Sequence, residues 1–203
     1  MLGLTAKELA VFRKLNTPTK IQDYLNRLPI NFEKDGDTLY SPRKVLRERK
    51  AQCIEGALFA ATALWVNGEE PLLLDLVTGR GDDGHVVALY KRNGYWGAIS
   101  KTNHAVLRFR DPVYKTIREL TLSYYHEYFL NRNGKKTLRK YSNPFNLKKF
   151  GEGWVTAEEN LLWMNTRLDR IKHFPLIPKK NLKLLRKADL VERKAGLIVE
   201  WKE

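Results

Sequence analysis

His85-Val-Val-Ala-Leu-Tyr-Lys-Arg-Asn-Gly-Tyr-Trp-Gly-Ala-Ile-Ser100 is the stretch on which the fold turns. Two β-prone runs flank Asn93-Gly94, a dipeptide that favours the tight hairpin turn in which both central residues take positive φ. A two-residue turn sets Arg92 opposite Tyr95. Counting back from it, Val87 is predicted to face Ser100 and His85 to face Thr102. Alternation then puts His85, Val87, Ser100 and Thr102 on one face, with Ser100 the diagonal neighbour of His85 at about 7–8 Å.

Working outward, Pro71 to Val77 reads as a buried strand, Gly79 to Gly84 as a polar loop, and Val106 to Phe109 as a further strand. Cys53 to Val66 is the most apolar helix candidate. Its small residues Gly56, Ala57, Ala60, Ala61 and Ala63 permit close approach of a neighbouring element. Upstream, Thr5 with Glu8 makes a capping box, and Thr17-Pro18 and Ser41-Pro42 each place a cap before a first-turn proline, while Asp35-Gly36 marks a turn. Beyond Pro112, Val113, Ile117, Leu120, Tyr124 and Tyr128 form an apolar helical stripe. Residues 131 to 154 look loop-like. Thr156 with Glu159 predicts a helix through Leu161, Met164, Leu168 and Ile171, and a last basic helix is expected around Leu182 to Leu185.

The whole is expected to be α+β: a Cys-bearing helix packed on a small antiparallel sheet, with added N- and C-terminal helices. Residues 1–112 would form the core with its N-terminal helices. Residues 113–203 would form a basic, mainly helical portion packing on it.

Composition narrows the function. The 203 residues are 43% hydrophobic and 11% aromatic, too rich for a disordered chain. No run approaches the about 18 apolar residues of a transmembrane helix, and the N-terminus lacks a secretory pattern, so a cytoplasmic protein with no membrane partner is expected. Net charge is +14 and uneven: residues 1–130 carry 19 basic and 15 acidic side chains, residues 131–203 carry 18 and 8. A single Cys excludes an internal disulfide and Cys-rich metal sites. None of the four His shows the i, i+4 pairing of a helical metal site, and Gly79 to Gly84 lacks the Lys-Ser/Thr ending of a phosphate loop. No metal and no cofactor are expected.

Cys53 lies where the basic segment Arg47 to Gln52 gives way to the apolar helix. A sulfur at a helix N-terminus meets unpaired N–H groups and the positive end of the dipole, which favour a thiolate. His85, at a strand end after the glycine-rich loop, is the candidate base, and Ser100 the candidate group to orient its ring. Gln52 and Glu55 flank Cys53 and are expected either to touch substrate or to cap the helix.

Gln52-Cys53 opening a small-residue helix, Gly84-His85-Val86 on a strand, and Gly94-Tyr95-Trp96 leading into the next strand resemble the core of transglutaminase-like (papain-like) cysteine hydrolases. Thr17-Pro18 to Leu28 and Ser41-Pro42 are similar to the lead-in helices of uncharacterised bacterial members. The resemblance spans about residues 17 to 105. It implies a catalytic triad in which the Cys53 thiolate attacks a peptide-like amide or thioester, with His85 as acid/base. In that family an Asp follows the strand's Trp by four positions; here that position is Ser100, and the missing carboxylate is the main departure. The acceptor, water or amine, and the oligomeric state are not specified by these residues.

Two other functions fit the chain. The basic last third, with Tyr141, Phe145, Phe150 and Trp154 between its Lys and Arg residues, suits a nucleic-acid-binding module. A catalytically inactive scaffold would keep the fold without turnover.

Overall fold

Thr5, Thr17 and Ser41 each accept a first-turn N–H, starting α1 (Ala6–Lys14), α2 (Pro18–Asn26) and α3 (Pro42–Glu48). The computed structural model describes residues 1–34 and 36–202, so the expected turn at Asp35-Gly36 has its first residue outside the described residues. The three helices surround α4 (Cys53–Val66), which is almost wholly buried. A helix apolar on every side has this one stable place, the middle of the core. Each large side chain it buries there, such as Phe59 or Leu64, contributes about 1.5–3 kcal/mol.

Beside α4 lies an antiparallel sheet of β1 (Leu72–Thr78), β2 (His85–Arg92), β3 (Tyr95–Ile99), β4 (Arg110–Tyr114), β5 (Leu138–Ser142), β6 (Phe145–Asn146) and β7 (His173–Pro175). Its order is β4-β3-β2-β1-β5-β7, with β6 also on β1. The architecture is therefore α+β, an antiparallel sheet with flanking helices. Leu73, Val86, Ala88, Tyr90 and Ile99 face α4 and its neighbours. Leu74, Leu76, Val87, Leu89 and Ala98 face the other way, onto Leu120 and Tyr124 of α5 (Ile117–Tyr125) and onto Tyr128 just beyond it.

The β2–β3 hairpin keeps the register expected of a two-residue turn, from Arg92 opposite Tyr95 back to Ala88 opposite Ile99. Asn93 and Gly94 take φ of 50° and 87°. The ladder stops there, so Ser100 and the residues after it leave the sheet as an irregular loop. That loop crosses α4 at Gly56: a Cβ on Gly56 would lie 2.4 Å from the Cβ of Lys101. The small-residue run thus serves this contact at one position.

Several expectations need correcting. Val106 to Phe109 is not a strand; the next strand is β4, which contains Pro112. A proline is tolerated there because β4 is an edge strand. The stretch 131–154 is not all loop. It supplies β5 and β6, which cover the open side of β1, so the sheet is larger than the four strands legible in the sequence and draws on both sides of residue 112. The apolar stripe from Val113 becomes helical only at Ile117, behind a Thr116–Glu119 capping box. Thr156 and Glu159 start no helix, because Leu161 donates its N–H to the Leu39 carbonyl at 2.8 Å. The helix α6 (Trp163–Asp169) begins two residues after that contact. Near Leu182 there is a short 3-10 helix, Lys179–Leu184, with no buried side chain. The last α-helix is α7 (Leu190–Gly196), capped by Asp189 and Glu192.

Candidate active site

Cys53 is the first residue of α4, where the leading N–H groups have no partner within the helix. It is half-buried and opens on a cleft of about 630 Å³ that Gln52, His85, Leu107 and Tyr128 also line. His85 enters from the first position of β2 and is 5% exposed. Its Nε2 lies 2.7 Å from Ser100 Oγ, a contact made although Ser100 lies beyond the last paired residues of the hairpin.

The hydrogen-bond network assigns the tautomer. The Ser100 hydroxyl donates its one proton to the Leu107 carbonyl, at 2.5 Å. Its oxygen can therefore only accept from His85, and Nε2 must carry the proton. Nδ1 is left with its lone pair, as the nitrogen able to take a proton. Leu107 is itself held in a left-handed conformation, φ 61°, which L side chains avoid. Glu127 pins it there by accepting its N–H at 2.6 Å, and Arg110 pairs with Glu127 at 2.6 Å.

Gln22 completes the support. It accepts the Ser100 N–H at 2.9 Å and donates to the Ser100 carbonyl at 2.8 Å, clamping the residue that holds His85. The sequence reading missed it, although a signal was present: Pro18, Ile21, Gln22 and Leu25 together form the buried face of α2. A polar residue inside such a stripe needs a buried partner.

Charge behaves differently from expectation. Burial pushes the Cys53 thiol up to about 11, while the Val86 and Ile54 N–H groups beside the sulfur pull the other way. Burial also pushes His85 down to about 4, aided by the charge of Arg110. A helix N-terminus contributes only about 0.3–1 kcal/mol to a nearby anion, and here desolvation of the thiolate outweighs it. Both shifts run against the resting thiolate–imidazolium pair expected from sequence and favour the uncharged thiol and imidazole.

Gln52 lies on the cleft wall, but both hydrogens of its amide are engaged, with Glu33 Oε1 at 2.9 Å and the Thr38 carbonyl at 2.8 Å. Glu55 has no exposed surface and does not line the cleft. Its carboxylate accepts the N–H groups of Gln52 at 2.7 Å and Tyr40 at 2.8 Å. The substrate contact expected of Glu55 therefore gives way to its alternative, capping α4. Burial raises its pKa and those hydrogen bonds oppose the rise.

The other histidines are elsewhere. His173 Nε2 meets Asp75 Oδ2 at 2.8 Å, and His104 Nδ1 lies 3.0 Å from the Gly196 carbonyl. Among the described residues, no group of three or more His, Cys, Asp or Glu is disposed to hold a metal ion. No helix among them is long and apolar enough to cross a membrane. Of the aromatic residues in the basic third, Trp154 is buried, whereas Tyr141, Phe145 and Phe150 stay half-buried and Trp163 is exposed. Trp154 is 3% exposed and stacked on Trp65, Tyr141 meets Phe174, and Phe150 packs between Phe145 and Trp163.

No family model and no curated protein matches the chain. Among solved structures, Legionella pneumophila LapG (EGTA-treated) superposes with a TM-score of 0.42 at 9% identity, covering 72% of this chain and 80% of that chain. A likeness this loose assigns neither family nor activity.

Proposed function

We propose that the protein is a cysteine-dependent amide hydrolase of the transglutaminase-like kind. One observation carries this reading: Cys53, at the start of a buried helix, and His85, with its Nε2 committed to Ser100, open on the same cleft. The motif order Cys, His, then a residue four beyond Trp96 supports it.

In this reading Cys53 Sγ attacks the carbonyl carbon of a peptide-like amide, and its proton passes to His85 Nδ1 as the S–C bond forms. The C=O π pair moves onto oxygen, where the Cys53 N–H at the helix start stabilises it. Collapse of that intermediate breaks the C–N bond, and His85 returns the proton to the leaving amine. Water, deprotonated by His85, then releases the acyl group from sulfur. Ser100 keeps the ring in the tautomer that presents Nδ1, relaying to a backbone carbonyl in place of the missing carboxylate. Because the pair rests uncharged, proton transfer accompanies attack. Gln52, tied back to Glu33, would shape the cleft wall beside the substrate.

The test is a pool of peptides from a tryptic digest, incubated with the wild type and with Cys53→Ala and read by mass spectrometry. New cleavage or deamidation products from the wild type alone support the hydrolase. Identical product lists from the two proteins overturn it in favour of an inactive scaffold.

A further inference from the structure

Two buried phenols, Tyr125 and Tyr128, have hydroxyls without a hydrogen-bond partner among the described residues, and of these Tyr128 lines the Cys53–His85 cleft. It is 3% exposed. Two other buried phenols are satisfied: Tyr124 donates to the Arg108 carbonyl and Tyr90 to the Arg110 carbonyl, each at 3.1 Å. Leaving a buried donor unmade costs about 1–3 kcal/mol, so an orphan at the wall of a cleft marks a place where a ligand supplies the acceptor. The residue is also held in place. Its carbonyl accepts the Thr137 N–H at 3.0 Å, and the next residue, Phe129, bridges to Lys136.

Three polar side chains on or beside the cleft are already occupied. The Gln52 amide is engaged with Glu33 and Thr38, the Ser100 hydroxyl with Leu107, and Lys101 Nζ with the Leu25 and Leu28 carbonyls. A tetrahedral oxyanion formed at Cys53 needs a second donor beside the backbone N–H.

We propose that the Tyr128 hydroxyl is that donor: it binds the carbonyl oxygen of the substrate as Cys53 attacks, and so is a catalytic residue. The inference rests on the hydrolase reading above. The phenol keeps its proton throughout. It donates a hydrogen bond as the C=O pair moves onto oxygen, while the thiol proton goes to His85. Burial, the largest cause, holds the Tyr128 pKa well above the ordinary phenol value, which suits a donor and not a base.

The experiment compares wild type with Tyr128→Phe at pH 8 using two probes of Cys53. Iodoacetamide alkylates sulfur at a methylene carbon and forms no oxyanion. N-acetyl-phenylalanyl-glycinal adds sulfur to an aldehyde carbon and gives a tetrahedral hemithioacetal whose oxygen sits where the oxyanion would. The expected result is alkylation within twofold in both proteins, hemithioacetal affinity at least tenfold weaker in the variant, and an unchanged melting temperature. Equal affinity for the aldehyde in both overturns the role of Tyr128 and leaves the hydrolase standing. Loss of both reactions in the variant shows a structural role and overturns it too. No aldehyde adduct on either protein overturns the hydrolase reading, and this inference with it.

Discussion

Ser100 Oγ sits 2.7 Å from His85 Nε2 while its own proton goes to Leu107. A neutral hydroxyl thus does the orienting that a carboxylate does elsewhere, and it does nothing to keep the ring charged. The low His85 pKa follows: a buried imidazolium facing a hydroxyl, with Arg110 nearby, has no anion to compensate it.

That shift has a consequence for stability. In the unfolded chain His85 takes up a proton near 6.5, and in the folded protein only near about 4. As pH falls through that interval the unfolded state gains a proton that the native state refuses, so stability is lost there and is unaffected by this group above it. The loss amounts to about 3 kcal/mol at most. Urea unfolding of wild type and His85→Gln at pH 7, 5.5 and 4.5 should show the wild type losing more of its stability. Parallel losses in the two proteins would refute the assignment.

Gln22→Ala should destabilise strongly. It leaves the Ser100 N–H and C=O without partners in the core, at about 1–3 kcal/mol for each group. Gln22→Glu keeps the acceptor and loses the donor, so its loss should be smaller, apart from the cost of the buried carboxyl. Denaturant midpoints at pH 5 read both variants. A Gln22→Ala midpoint equal to wild type would mean that the clamp does not contribute.

Gly56→Ala tests the crossing of α4 by the loop after β3. A methyl there would lie 2.4 Å from the Lys101 Cβ, so loop or helix must shift. Overpacking of this kind costs about 1–3 kcal/mol, even though alanine is the better helix former. Ala57 is buried on the same helix, and Ala57→Gly should lose only helix propensity plus one buried methyl. A Gly56→Ala melting temperature at or above wild type would show that the loop has room.

Much of the fold was legible because it is local. Turn chemistry at Asn93-Gly94 sets the β2–β3 register, and Thr5, Thr17 and Ser41 start helices through contacts three residues away. The later part was harder to read because its strands carry weak alternation. Leu138–Ser142 is a strand through its pairing with β1, 60 or more residues away in sequence.

For the candidate site, the sequence by itself determined which side chains are available, that Cys53 begins a helix, and that Ser100 lies within reach of His85. Each follows from spacing along one helix or one hairpin. Tertiary structure alone decided how those groups behave. Residues brought in by folding bury the sulfur and the imidazole, and desolvation there outweighs the local field of the helix end. Gln22, 78 residues from Ser100, and Tyr128, on the far face of the sheet from α4, reach the site only through packing. Hydrogen bonds and burial depend on distance in space, and no pattern of spacing in the chain encodes which distant residue will close that distance.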